Sequence, residues 1–308
     1  MRGGILQVKL DSLARPDERP RTIVLMAEIP GTVSQILWHF TGGPTWNLDE
    51  KHQNSAPKPA AGGYAALVGI LKTQELRLGT YKEVVKVRVP ALKVRNPKTK
   101  KIRTERDVIR TLTSCPVCCL ADIPIMHLSY HAARYGKFAI GFHREAAIRH
   151  GFNPVFYTLH HAEVIRTIRQ GFAKIRALDL ENARDLLSYV EYEVDDAEAD
   201  IDIDHHLWDL RNEIRDIETA VTTAKTSIAQ FLAYVKTFES NEFQTVYCER
   251  EWRAVNAFSF TFEDVAMIVL PEKVGTKRYF EPFVSKTAKR LGLPRAIPIV
   301  PWETLLES

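Results

Sequence analysis

Glu249-Arg250-Glu251-Trp252-Arg253 joins a long helical segment to a β-rich C-terminal region. Because alternate residues of a strand share a face, Glu249 and Glu251 should lie on one side, about 7 Å apart. Arg250 and Arg253 add two cations around Trp252. This concentration of charge is typical of a cleft that binds a ribose hydroxyl or stabilises a positive centre. An exposed edge strand with an Arg–Glu ladder would have the same pattern.

Length and composition favour one large domain, or one domain that carries a sizeable insertion. The chain has 308 residues, of which 45% are hydrophobic, and a formal net charge of +4. That charge is too small to indicate nucleic-acid binding by itself. The sequence begins Met1-Arg2-Gly3-Gly4 without an apolar segment, and it has no run of 18 apolar residues. We therefore expect neither a signal peptide nor a helix that crosses a membrane.

The cysteines do not follow the pattern of a secreted disulfide framework, so we expect a protein of the reducing cytoplasm. Three of them, Cys115, Cys118 and Cys119, are clustered, and the fourth is far away in the sequence. Together with His127 and His131 they have the residue types of a metal site. No second Cys-x-x-Cys pair follows, however, and adjacent residues of a strand face opposite ways. The sequence therefore favours buried thiols and no metal.

Charge is distributed unevenly along the chain. Lys82–Arg110 contains eleven Lys and Arg residues against three acidic residues, whereas Glu191–Asp204 contains eight acidic residues and no basic one. The valines of the basic region alternate with Lys and Arg, which predicts a strand pair with one apolar and one cationic face. The cationic face could bind nucleic acid or an acidic partner. Alternatively, the positive charge protects a solvated edge against strand pairing.

Hydrophobic periodicity predicts elements in the part of the chain that precedes residue 160. Strands are expected at Ile5–Leu10, Thr22–Ile29, Gln35–Phe40, Tyr81–Val94, Val117–Leu120, Lys137–His143 and Pro154–Leu159. Helices are expected at Tyr64–Glu75, between Asp122 and Tyr135, and at Arg144–His150. Asp122 is expected to cap the second helix, and the polar segment Asn47–Gly63 is expected to be a loop.

A long helical segment follows. A first helix is expected at His160–Leu178, and a second contains an apolar seam from Leu207 to Val235 with steps of three and four residues. Such a seam is typical of a coiled coil. We therefore divide the chain into residues 1–159, the first half of a core; residues 160–238, an inserted helical hairpin or a dimerisation arm; and residues 239–308, the second half of the core. A helix that packs on its own domain is the alternative.

The C-terminal region returns to β structure. Phe258, Phe260 and Phe262 alternate, Val265–Leu270 is an apolar run, and Ala296–Val300 is a last strand after the amphipathic segment Glu281–Leu291. Strands before and after a helical insertion predict the α+β class, with a mixed sheet and peripheral helices.

A second candidate site begins at the end of the third predicted strand. His39 is followed by Thr41 and Gly42, so an imidazole and a hydroxyl could bind a sugar that the backbone approaches closely. A strand histidine is also a common rim or core residue. Further along the chain, Arg134, Tyr135 and Arg144 are candidates for the wall of a cleft.

Five blocks carry a resemblance to a known family. They are Trp38–Gly43, Cys119–Pro124, Tyr135–Phe142, Asn153–Tyr157 and Glu249–Arg253. In this order they resemble the abortive phage-resistance proteins of the AbiGi type, a family named an antitoxin. Leu120-Ala121 departs from the Phe-Thr or Phe-Ser expected there, which alters the wall of the cleft. The resemblance implies a role in antiphage defence, with a protein partner from a defence operon or from the phage.

The AbiGi-type proteins in turn resemble ADP-ribosyltransferases remotely, which implies NAD as the substrate. By that resemblance, His39 would bind the adenosine-side ribose, with Thr41 and Gly42 beside it. Tyr135 or Tyr130 would stack on the nicotinamide, and Arg144 would complete the binding site.

The same resemblance implies the catalytic roles. Glu251 would hold the 2′-hydroxyl of the nicotinamide ribose, and Glu249 would orient the acceptor. A carboxylate there stabilises the oxocarbenium-like centre that forms when the glycosidic bond breaks. The alternatives are a non-catalytic protein of the same fold that neutralises a partner, and a nucleic-acid-binding module. Whether His39 and Glu251 converge on one cleft distinguishes the enzyme from the non-catalytic protein.

Overall fold

The computed structural model describes residues 34–44, 46–47, 52–53, 56–95, 98–178, 188 and 201–305. The strands predicted at Ile5–Leu10 and Thr22–Ile29, and most of the acidic stretch Glu191–Asp204, lie outside the described residues. Among the described residues, no helix has both the length and the apolar character needed to cross a membrane.

Seven strands form the central sheet, which is mixed. In spatial order they are β17 (Ile299–Pro301), β14 (Val265–Leu270), β8 (Ala139–His143), β1 (Ile36–Phe40), β7 (Cys118–Ala121), β12 (Glu251–Ala254) and β9 (Asn153–Pro154). Neighbours are antiparallel except β14 and β17, which are parallel. The predicted α+β class is confirmed.

Ten further strands of the described ranges form two-stranded pairs. They are β2 (Trp46–Asn47) with β3 (His52–Gln53), β4 (Glu75–Leu76) with β13 (Phe258–Ser259), β5 (Lys82–Arg95) with β6 (Ile102–Pro116), β10 (Phe156–Leu159) with β11 (Val235–Phe238), and β15 (Lys273–Val274) with β16 (Lys277–Arg278). The β5–β6 pair is the predicted strand pair of the basic region, and it forms a long antiparallel ribbon.

The described helices surround the sheet and the ribbon. They are α1 (Ala60–Thr73), α2 (Leu128–Tyr135), α3 (Arg144–Arg149), α4 (Glu163–Arg176), α5 (Ile201–Ala233), α6 (Phe243–Tyr247), α7 (Phe280–Pro282) and α8 (Ala288–Leu291). A π-helical segment, Phe283–Thr287, joins the last two helices, and short 3-10 helices precede α2 and α6.

Two predictions at helix starts were wrong. Helix α1 begins at Ala60, inside the segment that was expected to be a loop. Asp122 caps no helix, because its carboxylate pairs with Arg144 at 2.9 Å and with Arg250 at 3.2 Å. An ion pair with two guanidinium groups is a stronger use of this buried carboxylate than a cap.

Helices α4 and α5 pack on the inner half of the ribbon. Val85, Val87 and Leu112 of the ribbon form one buried cluster with Ile165 of α4 and Leu232 of α5. The two ends of this helical segment are held together by β10 and β11, which pair in parallel from Phe156↔Val235 to Leu159↔Phe238.

The predicted seam of α5 is divided between two environments. Val221 is buried and Leu207, Ile214 and Ile228 are half-buried, and all four recur every seven residues. The alternate seam positions Leu210, Ile217 and Phe231 are 44%, 49% and 47% exposed. Val235, the last predicted seam residue, is not helical, because α5 ends at Ala233 and Val235 begins β11. The helix therefore uses half of its seam within the chain.

The centre of the sheet is closely packed at Gly141. This residue lies in β8 and pairs with Trp38 of β1. A Cβ atom there would lie 2.6 Å from Cγ2 of Ile36 and 2.9 Å from the ring of Trp38. Only glycine fits without displacement of these neighbours.

Gly141→Ala should lower the free energy of unfolding by about 1–3 kcal/mol, the usual cost of overpacking a core. Urea unfolding followed by circular dichroism measures the change. Gly171→Ala is the matched control, because Gly171 lies within α4 and an added Cβ would meet no described atom of another element within 4 Å. There, alanine should stabilise the protein by up to about 1 kcal/mol. Equal stability of Gly141→Ala and the unmodified protein would contradict the close packing.

Candidate functional site

A small cavity lies between α2 and the neighbouring strands β1, β7 and β12. Its lining includes His39 and Phe40 of β1, Cys119 of β7, His131 and Tyr135 of α2, and Glu249 and Glu251. The volume is about 120 Å³, enough for one ring-sized group. Small-molecule sites more commonly have about 300–1,000 Å³.

Four of the predicted site residues line this cavity, namely His39, Tyr135, Glu249 and Glu251. His39 is held in place by a 3.1 Å hydrogen bond between its Nδ1 and the carbonyl oxygen of Cys119. Burial lowers the pKa of His39, although the bond to Cys119 acts in the opposite direction. Burial and the nearby Glu249 carboxylate raise the pKa of Tyr135. At neutral pH both rings are therefore uncharged.

The other three predicted residues do not line this cavity. The hydroxyl of Thr41 donates to the carbonyl oxygen of Gly63 at 2.7 Å. Gly42 packs against the turn after α2, where an added Cβ would lie 2.9 Å from the carbonyl oxygen of Tyr135. Arg144 pairs with Asp122 and lies over the ring of Trp252 at 5.3 Å. In this structure each of these residues has a partner within the fold.

Glu251 is fixed by two cations. Its carboxylate accepts from Arg253 at 2.7 Å and from Lys236 at 3.3 Å. Its backbone N–H donates to the hydroxyl of Tyr157 at 2.8 Å. Burial alone would raise the pKa of Glu251, but Arg253 and Lys236 outweigh burial and hold this pKa well below its usual range. Glu251 is therefore an anion whose charge is already compensated.

Glu249 is paired as fully as Glu251. One carboxylate oxygen accepts from Arg134 at 2.6 Å, and the other contacts the ammonium group of Lys236. Lys236 thus bridges the two glutamates that the strand spacing predicted to share a face. Burial lowers the pKa of Lys236, but Glu251 and Glu249 outweigh it and keep the ammonium group charged.

Arg253 links the pair to the rest of the molecule. Its side chain is fully buried, with 0% exposure. It donates to Glu83 of the ribbon at 2.5 Å, to Glu251 at 2.7 Å and to the carbonyl oxygen of Ala233 at 2.8 Å. Removing one partner from a buried ion pair typically costs about 3–5 kcal/mol, because the other charge stays uncompensated.

Lys236 and Glu83 were not predicted from the sequence as site residues. Lys236 lies in β11, a strand at the end of what was expected to be a helical arm. The β-branched and aromatic residues Val235, Thr237 and Phe238 were the available signal, because these residue types favour strands. Glu83 and Arg253 are 170 residues apart, and no local pattern connects them.

Cys118 and His131 have the surroundings of core residues, whereas Cys115 is half-buried and Cys248 is exposed. Cys118 lies in the main core and Cys119 lines the cavity, as alternation along β7 requires. Burial raises the pKa of the Cys118 thiol to about 12. The ring of His131 lies between those of Phe40 and Tyr135, at 5.8 and 5.6 Å. Within the described ranges, no group of three or more His, Cys, Asp or Glu residues could hold a metal ion.

Lowering the pH from 6.5 to about 4 should destabilise the protein through His131. Burial, aided by Arg134, lowers the pKa of His131 from 6.5 to about 4 in the folded state. Between these values the unfolded chain binds a proton that the folded protein does not, so the free energy of unfolding falls as the pH falls. The loss should reach about 3 kcal/mol, measurable by urea unfolding over a pH series.

His131→Asn should remove this part of the pH dependence, whereas the exposed neighbour His127 serves as the matched control. His127→Asn should leave the slope unchanged. A pH dependence in His131→Asn identical to that of the unmodified protein would show that another group causes it.

The chain matches the model of one protein family over residues 83–291, which are 209 of its 308 residues. That family is described as "Putative abortive phage resistance protein AbiGi, antitoxin". The match includes the ribbon, α2 and the Glu249–Glu251 pair. It begins after the block that contains His39. It also covers the basic region from residue 83 onward, in which none of the five blocks lies.

A curated protein of Lactococcus lactis subsp. cremoris, "Abortive phage resistance protein AbiGi", is 26% identical to the chain over 148 residues. The aligned part covers 46% of this chain and 51% of that protein. The chain thus spans about half the length of the curated relative that it matches. No solved structure matches the chain significantly. Since the family model covers more than half of the sequence, the chain belongs to the AbiGi family.

Proposed function

We propose that this chain is the antitoxin component of an abortive phage-defence system, and that it binds and neutralises a partner protein without turning over a substrate. The observation that carries the proposal is the ionic pairing of Glu249 and Glu251. Lys236, Arg134 and Arg253 compensate both carboxylates. Catalysis at a positive centre needs a carboxylate that is available to the ligand, whereas a binding protein needs no such group.

The size of the cavity supports the same proposal. About 120 Å³ accommodates a ring but not a dinucleotide. The family description, which includes the word antitoxin, is consistent with a protein whose partner is a toxin.

The exposed half of the α5 seam is the surface that we assign to the partner. Leu210, Ile217 and Phe231 recur at multiples of seven residues, so they lie along one line of the helix. Exposed patches of large apolar side chains commonly mark the sites at which proteins bind each other. A helix of the toxin could pack along this row; a second copy of this chain is the alternative occupant.

The variant Leu210→Asp, Ile217→Asp, Phe231→Asp should lose neutralisation, because three unpaired carboxylates would lie in an apolar contact. The assay is survival of cells that express the toxin of the same defence operon together with each variant. The matched control places the same charges at exposed polar positions of α5, as Thr223→Asp, Thr226→Asp, Gln230→Asp. Both variants should retain the melting temperature of the unmodified protein, since the substituted side chains are exposed.

Full neutralisation by the Leu210, Ile217 and Phe231 variant would exclude this row as the toxin contact. If light scattering showed a dimer that this variant converts to a monomer while neutralisation persists, the row would be a contact between two copies of the chain.

Cleavage of NAD with transfer of ADP-ribose is a second candidate function, and one observation favours it. His39 and Glu251 line the same cavity, which is the convergence that an ADP-ribosyltransferase-like core requires. A nicotinamide ring has the size of the cavity, and Tyr135 lies on its wall. For this chemistry Glu251 would have to exchange Arg253 or Lys236 for the ribose hydroxyl when NAD binds.

We expect the unmodified protein to leave NAD intact in a nicotinamide-release assay, because both carboxylates are already paired. Glu251→Gln and the exposed control Glu213→Gln should then be indistinguishable from it. Release of nicotinamide by the unmodified protein and by Glu213→Gln, together with its loss in folded Glu251→Gln, would establish the second candidate and overturn the non-catalytic proposal.

A further inference from the structure

We propose that the tip of the β5–β6 ribbon binds double-stranded DNA. We define the ribbon tip as Pro90–Arg95 together with Lys98–Ile109. The inner half of the ribbon packs against α4 and α5, and its residues Val85, Val87 and Leu112 are buried. From Pro90 outward, every described residue of the tip is exposed or half-buried. The tip therefore projects from the packed part of the molecule.

The start of the tip is marked by a local break in the strand pairing. Pro90 has no N–H group to donate to the neighbouring strand. Asp107 lies opposite, between the pairs Val89↔Val108 and Ala91↔Arg106, and its φ of 54° is in the left-handed region. The pairing resumes beyond this point and continues to Arg95↔Ile102. The tip is thus a continuous two-stranded element beyond a defined break.

Positive charge is concentrated in the tip. Its seven basic residues are Lys93, Arg95, Lys98, Lys100, Lys101, Arg103 and Arg106, against the acidic residues Glu105 and Asp107. The resulting net charge of +5 exceeds the +4 of the whole chain. The rest of the protein is therefore close to neutral, and its field is dominated by this one projection.

The acidic residues of the tip are already paired. Glu105 contacts Arg103 at 2.6 Å and Arg110 at 3.3 Å, and Asp107 contacts Arg88 at 2.8 Å. Four cations of the tip have no ion pair with any residue that the structure describes: Lys93, Lys100, Lys101 and Arg106. These four charges are available to phosphate groups.

The shape of the tip selects duplex DNA among polyanions. Paired strands lie about 4.8 Å apart, and the major groove of B-DNA, about 12 Å wide, admits a two-stranded ribbon. Five paired residues on each strand extend about 17 Å, half of one helical turn of DNA. The major groove of duplex RNA is too deep and narrow for side chains to reach its bases. The tip therefore fits DNA better than RNA.

Protection of a sheet edge does not account for this charge. Edge protection needs charged side chains on the exposed edge of a strand. In the tip, the four unpaired cations occur on both strands and at the turn between them. They also lie in the part of the ribbon that makes no contribution to the buried clusters.

The test is fluorescence anisotropy of a labelled 24-base-pair DNA duplex with the full chain at 50 and 200 mM salt. Four phosphate contacts should weaken binding about 100-fold over this range, since each contact releases a counterion. The variant Lys93→Ser, Lys100→Ser, Lys101→Ser, Arg106→Ser should lose most of the low-salt affinity and most of the salt dependence. The matched control, Lys273→Ser, Lys286→Ser, Lys289→Ser, Arg290→Ser, removes the same charge from exposed positions elsewhere and should retain both.

Three results would overturn the proposal. The first is an unmodified protein that does not bind the duplex at 50 mM salt, which would leave an acidic protein partner as the ligand of the tip. The second is an equal loss of affinity in the tip variant and the control. The third is equal affinity for an RNA duplex of the same sequence, which would show that the tip does not enter the major groove.

Discussion

The buried guanidinium of Arg253 connects three parts of the molecule. It extends from β12 in the central sheet, donates to Glu83 on the ribbon, and reaches the last carbonyl group of α5 at Ala233. Because a buried charge is tolerated only when it is paired and hydrogen-bonded, the sheet, the ribbon and the long helix must assemble together around it. Glu251 also accepts a hydrogen bond from Arg253 and is thereby fixed in the wall of the cavity.

The same network leaves the two carboxylates of the charged motif paired within the protein. Glu249-x-Glu251 has the spacing of a reactive pair, yet Lys236 bridges the two carboxylates and Arg134 completes their compensation. The cavity beside them is lined by an uncharged histidine and tyrosine and is the size of a ring. The larger exposed features lie elsewhere, on the outward side of α5 and at the tip of the ribbon. We propose that the apolar row of α5 contacts a partner protein and that the cationic tip contacts DNA.

Local sequence patterns predicted most elements of the fold, but not the ion pairs between residues that are far apart in the sequence. Alternation located β1, β5 and β8 within two residues, and helical spacing located α3 and α5, whereas β6 extends six residues beyond the predicted end of the strand pair. Glu249 and Glu251 do meet at one site, but the strand geometry predicted for them was wrong: β12 begins at Glu251, Glu249 lies in the turn before it, and Arg250 between them has a φ of 41°. Lys236 and Glu83 were not predicted, since their relation to this pair exists only after distant segments meet. Asp122 misled for the same reason, because a capping residue and half of an ion pair have identical local sequences. Arg144, its partner, was assigned to the cleft wall on similar grounds.

The parallel pairing of β10 with β11 has a consequence for how this family can vary. Residues 160–234 connect these two strands. The backbone hydrogen bonds between the strands therefore hold the two ends of this connection together. Loop-closure entropy grows slowly, by about 0.6 kcal/mol for each doubling of length. Insertions or deletions in the outer part of α4 and α5 therefore change the energy of the core little, provided that the last turn of α5 still reaches Arg253. The helical segment can lengthen, shorten or change its exposed side chains among relatives while the sheet keeps its geometry.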